Sequence, residues 1–148
     1  MECKCSLEPN EGPCDRCWGN AGNGKLGNGS LWPSQSTPVS VSGISTATSV
    51  SSGFSHTCAL LSGGTVKCWG WGADSGLGNG STSDSSTPVT VSGISTAISV
   101  WAGTNTCAIL SEGTVKCWGS DYGSTPVSAN NISTATAVSS GVFHTCAM

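Results

Sequence analysis

The cysteines have the most chemistry to offer in this 148-residue chain: Cys3, Cys5, Cys14, Cys17, Cys58, Cys68, Cys107, Cys117 and Cys146. Cys58 and Cys68 flank a short Gly-rich stretch, Ser62-Gly63-Gly64, and Cys107 and Cys117 flank Ser111-Glu112-Gly113 in the same way. If Leu61 and Thr65 close a three-residue hairpin loop, Cys58 faces Cys68 across a non-hydrogen-bonded pair. Cα atoms there lie about 4.5–5.5 Å apart, inside the window a disulfide needs. The same geometry pairs Cys107 with Cys117. Cys146 corresponds to Cys58, with its partner expected beyond the C-terminus, so the odd count is no sign of a reactive thiol. Cys17 corresponds to Cys68, and Cys5-Ser-Leu resembles Cys58-Ala-Leu, so Cys5 is expected to pair with Cys17. Two alternatives stand beside disulfides. Reduced cysteines pack as small hydrophobes, and Cys3, Cys5, Cys14 and Cys17 together could hold a tetrahedral zinc. The repeat already claims Cys17 and Cys5, so no metal site is assigned.

Other motifs lose their chemistry in context. Gly22-Asn-Gly24-Lys-Leu-Gly27 matches a dinucleotide fingerprint, but Gly-Asn-Gly-Ser and then Trp-Pro follow where a helix must start. A P-loop would need Ser or Thr where Leu26 stands. Both stretches read as turns, and no cofactor is expected. His56 and His144 occupy one repeated position, filled by Asn105 in the copy between. A catalytic histidine would be single, so a structural role bridging backbone groups is expected for them. No catalytic residue is assigned and the chain is not read as an enzyme. Three Asn-x-Ser sequons, at Asn28, Asn79 and Asn131, are glycan acceptors in a eukaryotic secreted protein and turn residues otherwise.

These residues sit in a repeat. Cys-Trp-Gly recurs at Cys17, Cys68 and Cys117, Ser-Thr-Pro-Val at Ser36, Ser86 and Ser124, and Gly-Ile-Ser-Thr-Ala at Gly43 and Gly93. Leu-Gly-Asn-Gly-Ser stands at Leu26 and Leu77, and all markers keep one order. Pro88-Val-Thr-Val-Ser and Ala97-Ile-Ser-Val alternate apolar and polar residues and are β-branched. Four short strands per ~50 residues predict a propeller blade, and no window shows a helical period free of Gly, Pro and β-branched runs. Charged residues are only 9% of the chain and the net charge is −3. With no basic cluster, a nucleic-acid groove is not expected. No apolar run approaches the ~20 residues of a membrane span, and the first residues lack the apolar core of a secretion signal.

The string GFSHTCALLSGGTVKCWGWGADSGLGNGS, with STPVTVSGI after it, resembles the repeat of the regulator of chromosome condensation family. Its cysteine-rich form is similar to the bacterial and surface-protein members. The resemblance covers roughly residues 14 to 148. It implies an all-β fold, a partial propeller of four-stranded antiparallel blades, where complete propellers usually have seven. The expected division is an incomplete first repeat with a Cys-rich segment (1–35), a complete repeat (36–85), a shortened one (86–123) and a truncated one (124–148). Trp118 to Pro126 spans 8 residues where Trp69 to Pro88 spans 19, so the shortened copy has lost its Gly-x-Leu-Gly-Asn-Gly loop. It also has one residue fewer between Val100 and Cys107 than stands between Val50 and Cys58. Seven blades of this period would need roughly 350 residues. The chain therefore reads as a fragment, with remaining blades or another copy needed to close its sheet edges.

Trp18, Trp69 and Trp118 are in phase and are expected to pack between or within blades. Trp32, Trp71 and Trp101 are out of phase, which makes them candidate partner contacts. The resulting expectation is a non-catalytic scaffold that presents loops to an unidentified protein partner. Paired cysteines would place it outside the cell or at the cell surface, and reduced ones in the cytoplasm. The resemblance implies two alternatives, a nucleotide-exchange factor for a small GTPase, as the founding member is for Ran, and a secreted enzyme inhibitor.

Overall fold

The computed structural model describes residues 2–4, 15–141 and 144–148. Thirteen strands and one 3-10 turn, Gly22–Gly24, make up its regular structure. The first sheet holds β1 (Glu2–Lys4), β2 (Arg16–Gly19) and β3 (Gln35–Ser40). The second holds β4 (Ala47–Ser52), β5 (His56–Leu61), β6 (Val66–Gly70) and β7 (Ser85–Thr90). The third holds β8 (Ala97–Ala102), β9 (Asn105–Leu110), β10 (Val115–Gly119) and β11 (Gly123–Ser128). A two-stranded fourth sheet pairs β12 (Val138–Ser140) with β13 (Thr145–Ala147). All ladders are antiparallel and join strands consecutive in the chain. These are blades of an all-β partial propeller, and the shortened third copy still builds all four strands.

A repeat cut at Ser36 or Ser86 begins inside the outer strand of one sheet and takes its other strands from the next. Each sequence repeat thus contributes to two blades. Strand position explains residue type. β5 and β9 are buried along nearly their whole length because another sheet covers each face, and they read as apolar runs (Cys-Ala-Leu-Leu, Cys-Ala-Ile-Leu). β3, β7 and β11 edge their sheets and carry no buried residue, which suits their Ser-Thr-Pro-Val sequence, since an edge tolerates Pro.

The core lies between blades. Cys58, Leu60, Val66 and Cys68 of the second blade meet Val100, Ala108, Leu110 and Trp118 of the third. Cys17, Leu26 and Val41 meet Ala59 and Trp69, and Cys107, Ile109 and Cys117 meet Ala135 and Val138. Cys17, Cys58, Cys68, Cys107 and Cys117 therefore face the following blade, and Trp69 and Trp118 face the preceding one.

Candidate functional site

The hairpin register puts Cys58 opposite Cys68 and Cys107 opposite Cys117. Both pairs lie at bonding distance, with S–S 2.13 Å and Cα–Cα 4.1 Å. In the first sheet Cys17 is disulfide-bonded, and the residue across from it in the ladder is Cys3, where the repeat had led to the expectation of Cys5. Cys5 and Cys14 lie outside the described residues. A hairpin loop longer than that of the other copies cannot be registered by counting back from Cys17. Among the described residues no group of three or more His, Cys, Asp or Glu could hold a metal ion.

The Gly-x-Leu-Gly-Asn-Gly segments grip the next blade. Leu26 and Leu77 are fully buried. Lys25 O accepts the indole N–H of Trp69 at 2.8 Å and the hydroxyl of Thr57 at 3.3 Å, and Gly76 O accepts the indole N–H of Trp118 at 3.0 Å. Gly29 N–H donates to Ser86 O at 2.9 Å and Gly80 N–H to Ser124 O at 2.8 Å, tying each loop to the outer strand beyond. Gly27 and Gly78 lie on the indoles at φ +68 and +66, where a Cβ would come within 2.6 and 2.7 Å of Nε1. Steric and conformational needs both demand glycine there. The nucleotide-like Gly pattern is thus a latch that holds tryptophan.

His56 is buried at the start of β5, with Nε2 2.6 Å from Thr106 Oγ1 of the next blade. Its partner is therefore a side chain one repeat away, where backbone groups had been expected. Desolvation outweighs the opposing pull of Asp74 and lowers the imidazole to about 4, so the ring is neutral at pH 7. In the third blade Asn105 takes its place. Its Nδ2 donates to Asp121 Oδ2 at 2.5 Å and its Oδ1 accepts Asp121 N–H at 3.1 Å, which anchors the shortened β10–β11 turn.

Antiparallel order places the β4–β5 turn and the long β2–β3 and β6–β7 loops at one end of the blades. The three out-of-phase tryptophans occupy separate elements. Trp32 is 67% exposed in the β2–β3 loop, Trp71 is half-buried in the β6–β7 loop, and Trp101 is 42% exposed on β8. Two residues not singled out in the sequence join this end. Phe54, at the tip of the β4–β5 turn, is 91% exposed. Asp84 accepts from Gly72 N–H at 2.9 Å and from Asn23 Nδ2 of the preceding blade's loop at 3.0 Å. The one-residue excess between Val50 and Cys58 was the available signal for Phe54.

Family models for the regulator of chromosome condensation (RCC1) repeat match residues 17–60 and 63–110, and a second form of that repeat matches residues 47–75. No curated protein gives a significant sequence match. Among solved structures, human WBSCR16 superposes with a TM-score of 0.73 at 19% identity, over 87% of this chain and 38% of that one. Prp20p from Saccharomyces cerevisiae gives 0.72 at 18%, over 89% of this chain and 38% of that one. In the structure of Kap60 bound to yeast RCC1 (Prp20) the score is 0.71 at 18% identity, over 89% of this chain and 37% of the other. The chain thus spans well under half the length of these propellers, and at these identities the likeness speaks for the fold. With more than half its residues matched by the family model, in phase with the hairpins and latches described above, the chain belongs to the regulator of chromosome condensation repeat family.

Proposed function

We propose that this chain is a non-catalytic propeller segment that presents its loop end to a protein partner, within a larger extracellular or cell-surface protein. The observation that carries this reading is the contrast between an interior that repeats from blade to blade and a loop end that does not. Hairpins, latch tryptophans and interblade contacts repeat from blade to blade, whereas Trp32, Phe54 and Trp71 do not. Structural need accounts for the repeated residues, and loop-end aromatics without a repeat counterpart are what binding surfaces use. Two cysteine pairs at bonding distance support an oxidising compartment.

The exchange-factor reading draws on the likeness to Prp20p, whose structure was described together with its binding to Gsp1p and histones. At 18% identity that likeness speaks for the fold alone. Fold analogy alone is a weak warrant for an activity. The test is a pair of assays on the full chain made in an oxidising compartment: binding to an array of purified extracellular domains, and nucleotide release from a small GTPase. The scaffold reading expects binding that is lost on reduction and an unchanged release rate. Accelerated release without array binding would replace it with the exchange-factor reading.

A further inference from the structure

The second blade carries three groups at its loop end that the repeat does not require, and the chain brings them together. Trp71 N–H donates to Ser55 O at 2.9 Å, which sets Trp71 beside the β4–β5 turn that carries Phe54. The Trp71 indole N–H donates to Asp74 Oδ2 at 3.1 Å, holding an exposed carboxylate at the edge of the ring. The third blade has Thr104 at the turn and Ser120 after its Cys-Trp-Gly, and its loop is too short to hold a counterpart of Asp74. The juxtaposition is therefore absent from the third blade.

From these groups we infer that Phe54, Trp71 and Asp74 form a docking patch for an arginine side chain flanked by an apolar residue on a partner protein. The inference rests on the scaffold reading and specifies its surface. A guanidinium stacks on an aromatic face and at the same time donates to a carboxylate, and few other side chains use both groups at once. Asp74 receives one bond from Trp71, so acceptor capacity remains for a guanidinium. Phe54, almost wholly in water, is the natural cover for the partner's apolar neighbour. Charge at this end favours a basic partner, because the described loop residues there carry Asp74, Asp84 and Asp121 against Lys25 alone. His56 beneath adds no positive charge at pH 7.

The test is selection of a random twelve-residue display library on the full oxidised chain, followed by capture of the enriched peptides on variants. Phe54→Ser and Asp74→Asn change exposed positions, so their folding is not at risk, and Val127→Thr on the outer strand β11 is the control. The expected result is enrichment of Arg beside an aliphatic or aromatic residue. Capture should fall at least tenfold with Phe54→Ser and with Asp74→Asn, and stay unchanged with Val127→Thr. Enriched peptides that lack Arg, or that bind both variants as well as the parent chain, would overturn the patch and leave the scaffold reading standing. A library that yields no binder at all overturns both.

Discussion

The second and third blades are built from nearly the same strands, yet they solve their loop ends differently. In the second, a long loop reaches over to hold Trp118, and buried His56 lies beneath it, bonded to Thr106 across the interface. In the third that loop is a tight turn, and Asn105 secures it through Asp121. The shorter Asn reaches its own blade's turn, whereas the longer His reaches the neighbour. A deletion in a loop and a substitution some fifteen residues earlier are thus one structural event. The cost of the exchange is a latch: the third blade offers the fourth no buried Leu and no glycine-backed carbonyl of the kind that grips Trp69 and Trp118.

The comparison can be broken most forcefully at the tryptophans. Trp69→Ala and Trp118→Ala each empty an equivalent pocket and should each cost about 3–5 kcal/mol, read from denaturant midpoints. Similar losses are expected because both indoles sit under the same kind of loop. A cost under 1 kcal/mol at either would show that its latch is decorative.

Acid should separate the two blades next. As pH falls through 6.5 the unfolded His56 imidazole takes up a proton, but the buried one does so only near 4. The unfolded state therefore binds more protons in that window. Stability is complete above the unfolded pKa and falls toward pH 4, by up to about 3 kcal/mol from this group. His56→Gln should flatten that part of the profile, and Asn105→Gln should leave its slope alone. An unchanged slope in His56→Gln would mean that the ring is not buried in its neutral form.

The hairpins should be closer to equal. Removing either pair, as Cys58→Ala with Cys68→Ala or Cys107→Ala with Cys117→Ala, frees a loop of the same length and should cost about 2–3 kcal/mol. A difference well beyond 1 kcal/mol between the double variants would contradict the equivalence of the two hairpins. The smallest effect is expected at the turn. Asn105→Ala strips Asp121 of its anchor and should cost about 1–2 kcal/mol, with amide exchange rising at residues 120–122 before any global change.

Much of this was legible in the residues. Two cysteines flanking Ser-Gly-Gly gave away the hairpin register, because a three-residue loop leaves one way to close it. The alternation in Pro88-Val-Thr-Val-Ser marked a strand, and the phase of the tryptophans marked them as packing between or within blades. What stayed hidden depended on contacts between repeats. Nothing in the spacing of His56 reveals that Thr106 is its partner, since the two positions meet only once blades stack. The partner of Cys17 could not be counted out, because the preceding loop differs in length from the other copies. The placement of Trp71 beside the turn that carries Phe54 was equally invisible, because the two lie seventeen positions and two strands apart. Loops of unequal length break the periodicity that makes the rest readable, and those loops hold the candidate site.

Oxidised hairpins are central to the account, since they set both the rigidity of the blades and the compartment in which the loop end meets its partner. The direct measurement is peptide-resolved mass analysis after unfolding and alkylation without reductant, on chain produced in an oxidising compartment. The account predicts Cys58 linked to Cys68, Cys107 linked to Cys117, and Cys17 unlabelled, with these five thiols reacting only after reduction. Labelling of all nine cysteines before reduction would contradict it and would return the chain to a reducing compartment.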